Sequence, residues 1–344
     1  MAVSAMGKCT CCPVVIGSQR FPHPSCPARN TPKPCCFTDK AERYATMFSN
    51  PGALAKKKKD CTENDLCYTG EFFDVAVWMR VLLTNDDGFD SVGMRVLRGI
   101  VSESFTEVWV SAPTHDRSAA SKSLSVRTPI KVRTVSAQEF AVYGTPVDSV
   151  VVGIHEMIKV GKQPDLVISG INYGANTGPV VPYSGTIAAA RAASRMGITA
   201  IAISQEYNGK RCENNVNDEA LWKNSRKSAL ALVKRLLCDT RWDRKCVMSV
   251  NIPCSDVQGV RFTGHDSSNI KWEPCVERHE STSDDVHQVS YTIHDVRSSN
   301  GNCRSYDTQL LGQGYIVVTP VGSDVTDHAT LDRYCGSQRC IQYT

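Results

Sequence analysis

The sequence predicts an α/β protein, a three-layer α/β/α arrangement on a mostly parallel sheet with a C-terminal excursion. Three observations carry this. Short β-branched apolar runs alternate with helix-period segments from Phe72 to Ser204, the rhythm of strands joined by crossover helices. Several of these runs stop at Gly, Pro or Asn-Asp turns, as strands entering loops do. The 344 residues are 41% hydrophobic, 22% charged and 7% aromatic, an ordinary globular composition long enough for one large domain or two small ones. No run of about 18 uninterrupted apolar residues occurs, so no helix is expected to span a bilayer.

The elements follow in order. Val75–Leu83 reads as a strand stopping at Thr84-Asn85-Asp86-Asp87-Gly88, and Met94, Leu97, Ile100 and Val101 then recur at helical spacing. Val108–Val110 makes a second strand ending in Ala112-Pro113, and a polar loop covers Thr114–Ser125. Ile130–Val135 and Phe140–Tyr143 read as strands. Thr145-Pro146-Val147-Asp148 supplies an N-cap, a proline at the first helical position and an acid three residues on, opening a helix through Ile158. Asp165–Ser169 is a buried-type strand ending at Gly170, Thr186–Met196 an Ala-rich helix stopped by Gly197, and Thr199–Ser204 the next strand. This is a Rossmann-like alternation. Beyond residue 210 the signal thins: Ala220–Leu237 is an amphipathic helix, Val247–Ile252 and Tyr315–Thr319 are strands, and the polar stretch from His265 to Gln309 is an excursion or arm.

Residues 1–70 differ from the rest. Seven prolines break any periodicity, and eight of the 16 cysteines lie before residue 68. Residues 1–59 hold ten basic residues against Asp39 and Glu42, so this leader carries +8 and the remainder −4 of the net +4. A basic, acid-poor, proline-broken segment is expected to be disordered or a targeting leader. The folded domain is expected over 71–344, with the arm at 265–310. A zinc knuckle of Cys9, Cys12, Cys35 and Cys36, which would make the leader an interaction module, is the alternative, but adjacent Cys35-Cys36 and the Cys-x-Cys at 9–11 fit no standard spacing. A mildly acidic body disfavours a nucleic-acid polymer as partner, and no membrane partner is expected. Met1–Gly17 has no secretory h-region, which points to a reducing cytoplasmic setting, with a plastid or mitochondrion, reached through the leader, as the alternative.

In an open α/β sheet, ligands bind beyond the carboxyl ends of the strands. The residues falling there are Asp86 and Asp87 in a Gly turn, Asp116, Arg117 and Ser118 in the loop after the second strand, Asn172 and Asn176 in the Gly-rich segment after Ser169, and Ser184-Gly185-Thr186 at a helix start. Carboxylates, hydroxyls and amides without His or Cys make a hard-oxygen set that suits Mg²⁺, Mn²⁺ or Ca²⁺ better than Zn²⁺. The helix start offers backbone N–H groups and a positive dipole end to an anion. A divalent metal beside an anion site is what phosphate-ester hydrolysis needs. Each motif alone has a structural reading, as a turn, a loop or a cap. Their convergence on one sheet edge favours the functional one.

Other templates fail. There is no P-loop, and Gly170, Gly174 and Gly178 are not spaced as a dinucleotide fingerprint. His155-Glu156 lacks a second zinc-protease histidine. Cys238 and Arg244 match the Cys-x₅-Arg spacing of cysteine phosphatases, but Asp239, Arg241, Trp242 and Asp243 between them are too bulky and acidic for a phosphate cradle.

Five ordered motifs resemble the SurE survival-protein family: Val81-Leu-Leu-Thr-Asn-Asp-Asp-Gly88, Ala112-Pro113 with Arg117-Ser118, Gly144-Thr-Pro-Val-Asp148, Ser169-Gly-Ile-Asn-Tyr-Gly-Ala-Asn176 and Tyr183-Ser-Gly-Thr186. The match covers residues 79–208, with weaker echoes at Asn251-Ile-Pro253 and Gly314–Pro320. Arg117–Ser121 and the Asn217-Asp218 segment look closer to the plant-like branch. The resemblance implies a metal-dependent 5′/3′-nucleotidase that acts through a metal-activated water, some members also cleaving short polyphosphate. It further implies one divalent ion (Mg²⁺ or Mn²⁺) per subunit, and a homodimer or homotetramer paired through the 265–310 arm. Carried over by motif, Asp86, Asp87, Ser118 and Asn172 would hold the metal, with Asp86, Asp87 and Asn172 catalytic. Asn176, Ser184, Gly185 and Thr186 would surround the substrate phosphate, and Asn85 would support the first turn. Two positions depart from the family pattern. Ser91-Val92-Gly93 stands where Ala-Pro-Gly is common, and Ser118-Ala119 where Ser-Gly is common. The alternative implied by these departures is a catalytically weakened nucleotide- or partner-binding module of the same fold.

Overall fold

The computed structural model describes residues 79–207, 220–265, 272–283, 286–298 and 306–335, all within the compact unit Cys67–Thr344. The leader of residues 1–70, its cysteines, the Asn217-Asp218 segment and parts of the 265–310 arm lie outside the described residues.

A nine-stranded sheet runs in the order β3-β4-β2-β1-β5-β6-β7-β11-β8. Its strands are β1 (Arg80–Thr84), β2 (Glu107–Pro113), β3 (Lys131–Ser136), β4 (Glu139–Tyr143), β5 (Leu166–Tyr173), β6 (Thr199–Gln205), β7 (Val247–Ile252), β8 (Gly259–Phe262) and β11 (Tyr315–Val321). From β4 across to β7 every neighbour is parallel. Only β3 against β4 and β11 against β7 are antiparallel.

Strand alternation sorts side chains to two faces. Val81 and Leu83 enter one apolar cluster with Met94, Leu97, Ile100 and Leu232, while Leu82 enters a second with Ile154, Ile187 and Ala190. One layer therefore holds α1 (Val92–Ser102) and α4 (Lys223–Cys238), and the other holds α2 (Pro146–Lys159) and α3 (Gly185–Arg195). A strand buried on both faces must be apolar at every position, which explains the uninterrupted Val81-Leu82-Leu83. Each such side chain contributes roughly 1.5–3 kcal/mol of burial.

Of three side-chain-capped helix starts, those of α2 and α3 are the ones the sequence predicts, and the α1 cap is added by the structure. Ser91 accepts from Met94 N to cap α1. Thr145 and Asp148 form a reciprocal capping box at α2, and the Ser184 hydroxyl accepts from Ile187 N at α3.

The structure corrects four expectations. The strand expected to end at Gly170 continues to Tyr173, with a register shift between Ser169 and Asn172. Gly170 allows this: its φ is +139°, and a Cβ there would lie 2.3 Å from Ile203 O. Beyond the bulge Asn172 is a strand residue rather than a loop residue, in register with Ser204 of β6. Next, the 265–309 excursion contains a paired hairpin, β9 (Trp272–Ser283) with β10 (Val286–Ser298), forming a separate two-stranded sheet. Third, β8 goes unpredicted because Gly259–Phe262 is only four residues long, half-buried to exposed. Fourth, two short helices, α5 (Asp307–Gly312) and α6 (His328–Cys335), flank β11; six and eight residues are too few for helical periodicity to register.

Candidate metal and phosphate site

The site lies where β1, β5 and the start of α3 meet. Asn85 builds the first turn: its Nδ2 donates to Gly88 O and Ser91 Oγ at 2.9 and 2.8 Å, and its Oδ1 accepts from Gly88 N at 3.3 Å. That network points Asp86 inward, where it is 4% exposed. Asp86 Oδ1 accepts from Thr186 Oγ1 at 2.6 Å. Gly185 sits against the same carboxyl, since a Cβ there would lie 2.8 Å from Asp86 Oδ2. The first turn and the helix start are therefore in direct contact.

The next carboxylate faces β5. Asp87 Oδ2 accepts from Tyr173 N at 3.1 Å, and Asn172 Nδ2 donates to Gly174 O at 2.7 Å, leaving its amide oxygen to act as a ligand. Asn176 is anchored from 75 residues away. Its N–H donates to Asn251 Oδ1 at 2.7 Å, and Asn251 Nδ2 donates back to Asn176 O at 3.2 Å. Asn176 Nδ2 donates to Ser204 Oγ at 2.9 Å and reaches Thr186 Oγ1 at 3.4 Å. Ser184 caps α3 with its hydroxyl, so its contribution to an anion is its place at the helix N-terminus.

Ser118 arrives on the loop after β2. Arg117 N donates to Asp86 O at 2.8 Å, which ties the loop to the first turn. Ser118 N and Oγ both donate to Asp116 Oδ1, at 2.8 and 2.6 Å. With its proton so directed, the Ser118 oxygen presents lone pairs to a cation. Ser118 itself is exposed and has no direct bond to Asp86. Ala119 beside it holds φ +60°, the left-handed conformation that glycine adopts without cost and an L-residue at roughly 1–2 kcal/mol. The loop therefore keeps a glycine-like geometry at Ala119.

Burial sets the state of the Asp86 carboxyl. Burial, with a smaller push from the nearby Asp116 charge, raises the Asp86 carboxyl to about 6 against the opposing Thr186 bond. Desolvating a carboxylate costs several kcal/mol, and one hydrogen bond to a charged acceptor returns about 1.5–3. The shortfall is what a bound cation would offset. Among the described residues no three His, Cys, Asp or Glu side chains gather into a cluster. Two carboxylates with neutral hydroxyl and amide oxygens make a hard-oxygen donor set, whose chemistry would suit Mg²⁺ or Mn²⁺.

Sequence reasoning placed Asp116 only among the strand-end oxygens and Asn251 only in a weak family echo, and gave Ser204 no role. The legible signal was a polar residue inside an apolar strand. Asn251 is fully buried at the end of β7, in register with Ser204 of β6.

A doubly wound sheet with an oxygen-only carboxylate site against a helix N-terminus defines a metal- and anion-receptive α/β enzyme class. Comparison with known proteins narrows this. Residues 81–272 match the family model described as Survival protein SurE. A "5′-nucleotidase SurE" of Anaplasma marginale (strain Florida) is 67% identical over 263 residues, covering 76% of this chain and 100% of that protein. One of the same name from Ehrlichia chaffeensis is 41% identical over 258 residues, covering 74% and 96%. The crystal structure of the SurE protein from Aquifex aeolicus superposes with a TM-score of 0.60 at 27% identity, covering 76% of this chain and all of that one. The chain belongs to the SurE family.

Proposed function

We propose that this chain is a 5′-nucleotidase, hydrolysing nucleoside 5′-monophosphates and extending to 3′ esters, with one Mg²⁺ or Mn²⁺ per subunit. The observation that carries the reading is the buried Asp86 carboxyl packed against the Gly185-Thr186 helix start. A buried carboxyl in contact with a helix N-terminus supports a cation site beside an anion site. The names of the relatives support the same reading.

Asp86, Asp87, Asn172 and Ser118 would hold the cation. When bound, it neutralises phosphoryl oxygens and lowers the pKa of a neighbouring water. Gly185 and Thr186, at the positive end of α3, receive the charge that builds on the phosphoryl group. Thr186 keeps Asp86 oriented through its hydroxyl, and Asn176, held by Asn251, sets the loop that leads to Ser184. The rival reading of a weakened binding module draws no support from Ala119 or Val92. Ala119 keeps the backbone conformation of a glycine, and Val92 opens a normally capped α1.

No helix among the described residues is long and apolar enough to cross a membrane, and the bacterial relatives support a cytoplasmic setting. The hairpin arm supports subunit pairing. Val276 lies on the face it shares with Val289 and Tyr291, and all three side chains are exposed.

Phosphate release from a panel of 5′- and 3′-mononucleotides, with Mg²⁺, Mn²⁺ or EDTA, tests the reading. Release abolished by EDTA is expected. Folded protein that releases no phosphate with any metal would overturn it.

A further inference from the structure

The segment from Asn176 to Thr186 carries the proposed phosphate contacts, so what fixes it governs substrate affinity. Its two ends are anchored by Asn251 at Asn176 and by the start of α3 at Ser184. Between them runs a short 3₁₀ turn, Gly178–Tyr183, with prolines at 179 and 182 that have no N–H to give. Ser121 Oγ donates to Pro182 O at 2.8 Å from the loop after β2. At the head of the turn, Gly178 N donates to Asp307 Oδ2 at 2.9 Å, across 129 residues.

Asp307 is fully buried and opens α5. Its Oδ1 accepts from Thr308 N at 2.9 Å. The Oδ2 that holds Gly178 also lies 2.7 Å from His265 Nδ1. Because Oδ2 already accepts from a backbone N–H, Nδ1 is the donor in this pair. The other ring nitrogen, Nε2, is buried and has no hydrogen-bond partner among the described residues. Residues 265 and 307 are the two ends of the arm. One carboxylate oxygen therefore joins both ends of the arm to the head of the phosphate loop.

We propose that Asp307 is a positioning residue for substrate phosphate, holding Gly178 in place with His265 as its orienting partner, and so ties the base of the arm to the active site. The proposal rests on the nucleotidase reading for its kinetic consequence and on geometry alone for the latch. Asp307 touches neither the metal site nor the reacting atoms. It acts through the Gly178 amide, so its loss raises KM more than it lowers kcat.

The test uses the full chain with Asp307→Ala, Asp307→Asn, His265→Ala and His265→Asn. Losing one bond to a charged acceptor is expected to speed hydrogen exchange across residues 174–187 by roughly 10- to 100-fold in Asp307→Ala, with β1 and β5 amides unchanged. KM for a mononucleotide and the inhibition constant of inorganic phosphate are expected to rise together by about 10-fold, with kcat within about threefold. His265→Ala shows part of the effect. His265→Asn, which can present an N–H near the Nδ1 position, restores it, and Asp307→Asn falls between. If Asp307→Ala does not fold, Asp307→Asn and His265→Ala carry the same readouts. Unchanged loop exchange with unchanged KM in a folded variant overturns the latch. A wild-type protein that hydrolyses no nucleotide overturns the nucleotidase reading, and loop exchange then decides the latch alone.

Discussion

The N-terminus of α3 and the C-terminus of α4 both carry residue patterns associated with phosphate chemistry. At the first stand Ser184-Gly185-Thr186; at the second, Cys238 and Arg244 have the spacing of a cysteine phosphatase. Their surroundings are opposite. The α3 end presents N–H groups and a positive dipole beside a buried carboxyl, the proposed metal ligand Asp86. The α4 end presents carbonyls and a negative dipole, and its cation is used to satisfy them. Arg244 Nη2 donates to Leu237 O at 2.7 Å, and its guanidinium lies 4.1 Å from the Trp242 ring centre. Asp239 is held at about 2, chiefly by the Arg241 side chain, so it stays anionic. Burial pushes the Cys238 thiol above its ordinary value despite Arg235 and Arg244 nearby, whereas a nucleophilic cysteine needs the reverse. Spacing alone therefore does not separate a phosphate site from a helix cap; the direction of the helix does.

The largest expected effect falls on the α3 side. Asp86→Asn or Asp87→Asn is expected to lower metal-dependent kcat by roughly 10³-fold or more, because metal assistance is worth several kcal/mol. Circular dichroism should report an intact fold. Near-normal turnover in either folded variant would remove that residue from the ligand set.

Gly185→Ala sharpens the contrast. Its Cβ would lie 2.8 Å from both Cβ and Oδ2 of Asp86, so helix and carboxyl must part. A misplacement of about 1 Å costs on the order of 10²-fold, and kcat/KM should fall by about that factor. Activity within threefold of wild type would show that the helix start and Asp86 do not act together.

A smaller effect concerns α2, whose cap is a matter of stability alone. Burial would raise the Asp148 carboxyl, but hydrogen bonds from Thr145 and Ser125 outweigh it and hold it below its ordinary value. A depressed folded pKa means the contribution is complete above the unfolded value and lost as pH falls through the folded one. Asp148→Ala should cost about 1–2 kcal/mol at neutral pH and flatten the acid limb of the melting curve. Parallel acid limbs for the two proteins would refute this.

The smallest effect belongs to the α4 side. Cys238→Ser is expected to leave kcat and KM within about twofold, since a thiol raised by burial at a helix C-terminus supplies no nucleophile. A large loss of turnover would reverse the comparison between the two helix ends.

What the sequence determined by itself is whatever short-range physics writes. Continuous apolar runs require strands buried on both faces, and Ser91, Thr145-Asp148 and Ser184 each satisfy orphan helix N–H groups three residues on. Asn85, Asp86, Asp87, Ser118, Asn172 and Thr186 were legible as candidates because strand ends in a parallel sheet share one edge. Tertiary structure alone decided three things. Gly170 let β5 pass close to Ile203 O and so carried the strand, with a shifted register, on through Asn172. Asn251 and Asp307 reached Asn176 and Gly178 across 75 and 129 residues. The raised pKa of Asp86 arose from burial under a helix 100 residues away. A cap or a turn is fixed within a few residues by its own hydrogen bonds. A buried polar contact between distant segments exists only once the chain has closed around it, and no local pattern records that closure.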